Sequence, residues 1–407
     1  MNNNELLKQY EKECSSIFEK IDDIAFFNQQ KVLKAFQDSS VALMHMNLSS
    51  GYGYEDLSKP KLCELFARIF KCDKAIVTPH ITCGTHALTL CLQGILRPGD
   101  TMLSISGMPY DTLEEVILGE GNGSLKDFKI GFDKVEMIGS DFDLKTIKDK
   151  ILKLNPKMIY IQRSRGYSAR DALSIAKIEE VVKAVKEIKK DAIVMVDNCY
   201  GEFVEKQEPL EVGVDVMAGS LIKNIGGGIV PTGGYVAGRE DLVNLIAGRL
   251  TAPSIGLEVG SYNATYAPYF EGVFIAPHVV GGILKGGALL AKVLSDKGCK
   301  VFPAFNQMPG DIVRSIEFND KEKMIKFVQM VQKLSPIDSF AVPIADDMPG
   351  YSDKVIMASG SFIQGSTAEM SCDAPIRAPY IAYFQGGITY EHVKILALEM
   401  INSLQTL

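Results

Sequence analysis

The sequence predicts an α/β protein in which helices cover both faces of a mostly parallel sheet, followed by a smaller α+β domain. Two observations carry this prediction. Short apolar strands alternate with amphipathic helices from residue 60 onward, which is typical of a parallel sheet buried on both faces. The chain has 407 residues, 46% of them hydrophobic, and is too long for one ordinary core, so two domains are expected.

The elements can be read in chain order from their hydrophobic periodicity. Apolar residues recur at helical spacing over the first forty or so residues, which predicts two helices. Strands are predicted at 75–77, 101–103, 158–161 and 192–196, and the helices between them at 87–96, 113–118 and 175–188. This alternation is typical of repeated strand–helix–strand units.

The domain change is predicted at the Gly281-Gly282 pair, which we expect to open a helix that runs to about residue 294. Beyond it, the pattern predicts a strand at 312–318, a helix at 323–333, further strands and a final helix at 390–404. The predicted domains are N-terminal helices at 1–50 that pack with the small domain, a large ligand-binding domain at 51–280 and a small domain at 281–407.

Composition excludes several classes of function. With 50 acidic and 43 basic residues the net charge is −7, which favours neither nucleic acid nor an anionic membrane. No apolar run approaches the roughly 20 residues of a spanning helix, and the N-terminus lacks a signal pattern. The eight cysteines are scattered without a Cys-x-x-Cys pair, so we expect reduced thiols in the cytoplasm and neither a metal site nor a disulfide framework.

The first candidate for chemistry is Lys223, three residues after Ser220 and shortly before Gly226-Gly227-Gly228. A lysine that forms a Schiff base must be desolvated and within reach of a flat cofactor, and glycines allow that close approach. The Ser220 hydroxyl is placed to bind a cofactor phosphate. The alternative is a solvated loop lysine.

The second candidate is Asp197, which ends the strand predicted at 192–196. In open parallel sheets, ligands bind outside the carboxyl ends of the strands. Pyridoxal 5′-phosphate needs a carboxylate there, because its capacity to accept electrons depends on a protonated pyridine nitrogen. The alternative is a carboxylate that caps a strand or loop.

The third candidate is the segment Cys83-Gly84-Thr85, which precedes the helix predicted at 87–96. Backbone N–H groups at a helix N-terminus bind phosphate, aided by the helix dipole. The alternative is an ordinary helix cap in which Thr85 accepts from the helix amides. Both can hold together.

Two further side chains complete the set of candidates. Tyr110, just after the strand at 101–103, would stack on the cofactor ring and move protons, or it is an exposed residue at a helix start. Arg377 lies between Pro375 and Pro379 and would bind a substrate carboxylate through two parallel hydrogen bonds. A surface salt bridge is the alternative for this arginine.

These five elements occur in the order expected of a fold-type-I pyridoxal-phosphate enzyme, and the chain resembles a narrower group. Its motifs are similar to those of the bacterial aluminium-resistance proteins, also called methionine γ-lyase-like or cystathionine β-lyase-like. The motifs are Gly51-Tyr52-Gly53-Tyr54-Glu55-Asp56, Cys83-Gly84-Thr85-His86-Ala87, Pro109-Tyr110-Asp111-Thr112-Leu113-Glu114-Glu115, and Gln364-Gly365-Ser366 with Ala374-Pro375-Ile376-Arg377.

The resemblance implies pyridoxal 5′-phosphate as cofactor, a homodimer or homotetramer, and a carbon–sulfur lyase that acts on an amino acid such as cystathionine or methionine. Two positions depart from the family pattern: Cys83 stands where the family has serine, and Ser58-Lys59 where it has Gly-Arg. We expect the loop that carries Tyr54, with Lys59 nearby, to reach the cofactor phosphate of a neighbouring subunit.

Three other functions compete with the lyase. A nicotinamide-binding protein is disfavoured because no Gly-x-Gly-x-x-Gly lies between a strand and a helix. A pyridoxal-phosphate aminotransferase would use the same lysine and aspartate, so the sequence separates it poorly. A non-catalytic binding protein of the same fold would be marked by loss of Lys223 or Asp197, and both are present.

Overall fold

The computed structural model describes residues 2–168, 170–348 and 353–403. In these residues, seven strands form a first sheet with the order β1-β7-β6-β5-β4-β2-β3. The strands are β1 (Lys74–Thr78), β2 (Thr101–Ser104), β3 (Gly131–Lys134), β4 (Met158–Gln162), β5 (Ile193–Asp197), β6 (Val216–Ser220) and β7 (Gly234–Gly238). All neighbours pair in parallel except β7, which is antiparallel to both β6 and β1. The predicted mostly parallel sheet is confirmed.

Helices cover both faces of this sheet. They are α3 (Ser58–Ile69), α4 (Gly84–Ile95), α5 (Asp111–Leu118), α6 (Leu144–Leu154), α7 (Ile175–Ile188) and α8 (Glu240–Leu250). Successive strand residues point to opposite faces, so Ile159 and Ile161 join one core cluster with α7, whereas Met158 and Tyr160 join another with α4. The polar ends of the central strands are thus left at the carboxyl edge of the sheet.

The second sheet is antiparallel and has five strands in the described part of the chain, in the order β10-β11-β12-β9-β8. They are β8 (Lys300–Phe302), β9 (Arg314–Glu317), β10 (Val355–Ser359), β11 (Ser371–Pro375) and β12 (Ile381–Gln385). Helices α10 (Lys321–Lys333) and α11 (Tyr390–Ser403) pack on it in a separate core. This agrees with the predicted α+β domain, although Leu404, the predicted end of the last helix, lies outside the described residues.

One long helix, α9 (Ala267–Asp296), corrects the prediction that a helix opens at Gly281. The two glycines lie inside the helix because they allow close packing: a Cβ on Gly281 would lie 3.1 Å from the Cβ of Ala25. Within the described residues, α9 also has the length and composition of a membrane-spanning helix. This finding qualifies the expectation that the chain contains no such segment. Most of its apolar stretch is buried, as in the core helix of a soluble protein.

The first forty residues form two helices, as predicted: α1 (Asn3–Glu13) and α2 (Ser15–Asp38). Leu7 and Tyr10 of α1 belong to the core of the small domain, whereas Ile21 and Val32 of α2 belong to a core of the large one. The N-terminal segment therefore packs against both. The domain divisions at residues 50 and 280 stay a prediction.

Candidate active site

A cavity of about 680 Å³ lies where β4, β5 and β6 end, between the large sheet and the small domain. Its volume is typical of a cofactor or small-molecule site. Eight of the nine residues predicted to form a site line it: Cys83, Gly84, Thr85, Tyr110, Asp197, Ser220, Lys223 and Arg377. The ninth, Tyr54, is not among the lining residues.

Asp197 occupies the carboxyl end of β5, where the sequence predicted it, and its exposure is 3%. Its Oδ1 accepts a hydrogen bond of 3.0 Å from the backbone N–H of Cys199. Burial raises the pKa of this carboxyl group, although the Cys199 hydrogen bond and Lys223 act against the rise. A cationic partner would satisfy the buried carboxylate.

Lys223 follows β6 and places its Nζ 3.8 Å from the ring centroid of Tyr200. Burial lowers the pKa of Lys223, but Tyr200, Cys199 and Asp197 raise it more, so the pKa lies above its ordinary value. Tyr200 has a left-handed φ of 71°, which is uncommon for a bulky residue. Asn224 holds this conformation, because its Nδ2 donates to the Tyr200 carbonyl at 3.0 Å.

The N-terminus of α4 meets the end of β6 and forms a cradle. A Cβ on Gly84 would lie 3.5 Å from the Cβ of Ser220, so glycine keeps this space open. Cys83, not Thr85, caps α4: its Sγ accepts from the His86 N–H at 3.4 Å. The cap prediction for Thr85 is therefore wrong, because its hydroxyl is engaged by Tyr110.

Tyr110 is fixed from two sides. Its hydroxyl lies 2.8 Å from Oγ1 of Thr85, and its backbone N–H donates to Oε1 of Gln162 at 2.9 Å. Burial raises the pKa of Tyr110, with a smaller contribution from Asp197 in the same direction. The phenol therefore stays protonated at neutral pH.

Arg377 lies on the small-domain side of the cavity. Its Nη1 is 3.2 Å from Oδ2 of Asp353, and the side chains are 53% and 34% exposed. The ion pair predicted as the alternative for Arg377 is therefore formed, and the same guanidinium lines the cavity.

The Tyr54 loop lies apart from the cavity of its own chain. Tyr54 is 68% exposed and stacks on Tyr52 with ring centroids 5.5 Å apart. Lys59 is buried, and its Nζ donates to the Val259 carbonyl at 2.9 Å. Contact of this loop with a neighbouring subunit stays a prediction.

Several lining residues were missed by the sequence reading: Gln162, Arg165, Tyr200, Asp373 and Tyr383. Gln162 ends β4, so the rule that located Asp197 would also have located it. Burial raises the pKa of Asp373 to about 6, while Tyr167 and Lys223 oppose the rise. The other residues carry no local sequence signal, because loops and the second domain bring them to the cavity.

The residues present fit pyridoxal 5′-phosphate. Asp197 is a buried carboxylate that makes no ion pair within the described residues, so it is available to accept from the protonated ring nitrogen of the cofactor. The cradle of Cys83, Gly84, Thr85 and Ser220 offers helix amides and a hydroxyl to a phosphate. Lys223 lines the same cavity, where it would hold the cofactor aldehyde.

The fold and this cavity define the class as fold-type-I, pyridoxal-phosphate-type enzymes. The pyridoxal-5′-phosphate-dependent protein YhfS from Escherichia coli shares the fold at a TM-score of 0.65 and 17% identity, over 94% of this chain and 97% of that one. The model of the methionine gamma-lyase family matches residues 3–405. The chain belongs to this family.

Closer relatives extend over almost the whole chain. A Listeria monocytogenes structure, described as a candidate cystathionine beta-lyase involved in aluminum resistance, is 47% identical with a TM-score of 0.96, covering 98% of this chain and all of that one. A carbon-sulfur lyase involved in aluminum resistance from Clostridium novyi is 45% identical with a TM-score of 0.94, covering 98% and 95%. Bacillus subtilis YnbB is 44% identical over 98% of this chain and 97% of its own length.

Proposed function

We propose that the protein is a pyridoxal-phosphate-dependent carbon–sulfur lyase that eliminates a thiol from a sulfur-containing amino acid such as cystathionine or methionine. The observation that carries the proposal is the presence of Asp197, Lys223 and the Gly84–Ser220 cradle in one cavity. Membership of the methionine gamma-lyase family supports it. When bound, the cofactor supplies an electron sink for a carbanion at the substrate Cα.

Each side chain has a defined task in this reaction. The Nζ of Lys223 would remove the proton from the substrate Cα as the neutral amine, because the bound cationic ring would oppose the rise in its pKa that Tyr200, Cys199 and Asp197 cause. The buried Asp197 carboxylate would accept a hydrogen bond from the ring N–H of the bound cofactor and would keep that nitrogen protonated, because an opposite charge nearby favours the charged form. Asp197 ends β5 and Lys223 lies three residues beyond the end of β6, so the sheet limits the movement of both groups and keeps them in reacting geometry.

Tyr110 is the proposed general acid for the departing sulfur. Its phenol stays protonated because burial raises its pKa, and Thr85 orients the hydroxyl at 2.8 Å. A thiol has a pKa of about 8.5, so a thiolate leaves more easily than an alkoxide. The help required from Tyr110 is correspondingly small.

Turnover without an acceptor tests the reaction class. The loaded enzyme is given cystathionine, cysteine or methionine in the absence of any keto acid. Ammonia, a keto acid and a thiol formed over many turnovers support the lyase. A reaction that stops after one turnover with pyridoxamine phosphate identifies an aminotransferase, and cofactor binding without any reaction identifies a binding protein.

We also propose a cytoplasmic homo-oligomer, a dimer or tetramer, in which Tyr54 contributes to a neighbour's site. Six exposed apolar side chains are close in sequence and support a buried contact: Leu43, Met44, Leu48, Tyr52, Tyr54 and Leu57. The eight unpaired cysteines suit a reducing compartment. Sedimentation at low concentration checks the assembly, and a fully active monomer would contradict it.

A further inference from the structure

The side chain of Lys223 ends against the aromatic ring of Tyr200. The Lys223 Nζ lies 3.8 Å from the ring centroid, well within the roughly 6 Å over which an aromatic face attracts a cation. Asp197 lines the same cavity but acts on Lys223 through charge, without an ion pair between the two in the part of the chain that the structure describes. The ring of Tyr200 is therefore a direct partner of the amine.

Tyr200 reaches this position through an unfavourable backbone conformation. Its φ of 71° lies in the left-handed region, which a bulky residue rarely adopts and keeps only where its surroundings impose it. Asn224 imposes it, because its Nδ2 donates at 3.0 Å to the carbonyls of both Tyr200 and Glu202. Arg163 adds a further bond, from its Nη1 to the Gly201 carbonyl at 2.9 Å. Backbone strain that is held in this way at a cavity wall indicates that the placement of the ring serves a function.

The lysine and the residue that holds this turn are neighbours in the chain. Lys223 places its amine on the Tyr200 ring, and the next residue, the fully buried Asn224, holds the backbone that carries the ring. A shift of either segment would therefore move the amine and the ring together. The fold thus keeps the distance between these two groups constant.

We infer that Tyr200 is a positioning residue, which holds the amine of Lys223 against its ring face whenever that amine is not bonded to the cofactor. The lysine stem is flexible, so a fixed partner restricts the positions that Nζ can take. In the free protein, Tyr200 would hold the amine where the cofactor aldehyde arrives. During turnover it would keep the released amine near the substrate Cα, and this second part alone rests on the proposed function.

Competitive acetylation of the full-length apoprotein tests this role, because acetic anhydride reacts with the neutral amine and not with the ammonium form. The rate at Lys223, measured by peptide mapping over a range of pH, gives the midpoint of its titration. The groups that face this amine are Asp197, Cys199, Tyr200 and Asp373. Tyr200→Leu removes a partner that favours the ammonium form, so the midpoint should fall by at least about half a pH unit.

Two matched variants separate the ring face from other effects. Tyr200→Phe keeps the ring and loses the hydroxyl, so its midpoint should lie nearer to that of the wild type than to that of Tyr200→Leu. Tyr383→Leu removes a different aromatic ring from the same cavity and should leave the midpoint of Lys223 as in the wild type.

The role of Tyr200 is overturned if Tyr200→Leu keeps the wild-type midpoint, if Tyr200→Phe falls as far as Tyr200→Leu, or if Tyr383→Leu falls equally. Should Tyr200→Leu fail to fold, Tyr200→Asn takes its place, because asparagine tolerates a left-handed backbone and supplies no ring. Acetylation requires neither cofactor nor substrate. A protein without lyase activity would therefore give an equally clear answer about Tyr200.

Discussion

The inner wall of the cavity and its small-domain side are built differently. Asp197 and Ser220 on the inner wall end buried strands and are at most 3% exposed. Arg377 and Asp353 on the opposite side are partly exposed and joined by an ion pair. The inner wall suits a resident cofactor that must not move, whereas the small-domain side can be altered without disturbing the sheet. Cofactor chemistry should therefore be fixed by the strands and substrate choice by the second domain.

Replacement of Lys223 is the severest test of the inner wall. Lys223→Ala removes both the cofactor attachment and the proton carrier, so we expect turnover to fall by about 10³-fold or more. In the wild-type protein, borohydride reduction followed by peptide mapping should label Lys223. A label on another lysine, for example Lys285, would show that this residue and not Lys223 holds the cofactor.

Asp197→Asn leaves the shape of the inner wall intact but removes its charge. We expect some cofactor to remain bound, visible by its absorbance, and turnover to fall by about 100-fold, as for loss of one preorganised charge contact. Asp353→Asn should reduce turnover much less, because Asp353 lies on the small-domain side of the cavity. Unchanged turnover in Asp197→Asn would show that Asp197 does not hold the cofactor ring.

Glu202 lies behind the inner wall and gives a pH test. Burial raises its pKa from 4.5 to about 8, and its Oε1 accepts from the Tyr235 hydroxyl at 2.7 Å. Because the folded state binds the proton more tightly, this group's contribution to stability is complete below pH 4.5 and is lost as pH rises through 8. The loss is at most about 1.4 kcal/mol per pH unit.

In denaturant unfolding, Glu202→Gln should flatten the pH dependence of the free energy of unfolding between pH 5 and 8. The control, Glu187→Gln on the exposed surface of α7, should leave that dependence as in the wild type. Equal slopes for the wild-type protein and Glu202→Gln would show that Glu202 is already ionised in the fold.

Cys83→Ser is the mildest change, since it restores the residue expected from the family resemblance. A hydroxyl can donate to the phosphate more strongly than a thiol, so cofactor affinity should rise about threefold. Titration of the apoprotein with cofactor measures this affinity. Weaker binding in Cys83→Ser would mean that the sulfur fits the cradle better than oxygen.

The sequence located the inner wall because its residues stand at ends of apolar strands, where periodicity is strong. Asp197 could be found this way, whereas Lys223 was indicated by its position between Ser220 and the glycines at 226–228. Tyr200 and Arg165 could not, because their roles depend on contacts made after the chain folds: Tyr200 lies under Lys223, and Arg165 reaches the small domain. Local pattern carries no information on either contact.

The wrong helix start at Gly281 has the same physical origin. The pair Gly281-Gly282 predicts a helix start, but tertiary packing of Gly281 against Ala25 and of Gly282 against Tyr390 selects small residues in the middle of α9. Helix α6 was not predicted, although its apolar residues Ile147 and Ile151 are buried at helical spacing. The helical periodicity of α6 is therefore visible in the sequence itself.

Helix α9 has a consequence for how the protein denatures. Phe270 and Val280 in its first half belong to a core of the large domain, whereas Leu290 and Leu294 near its end belong to the core of the small one. A helix of 30 residues spans about 45 Å, and fraying at either end exposes the neighbouring core. The two domains should therefore melt together on heating, so that the enzyme loses its active-site junction and its fold in a single cooperative transition.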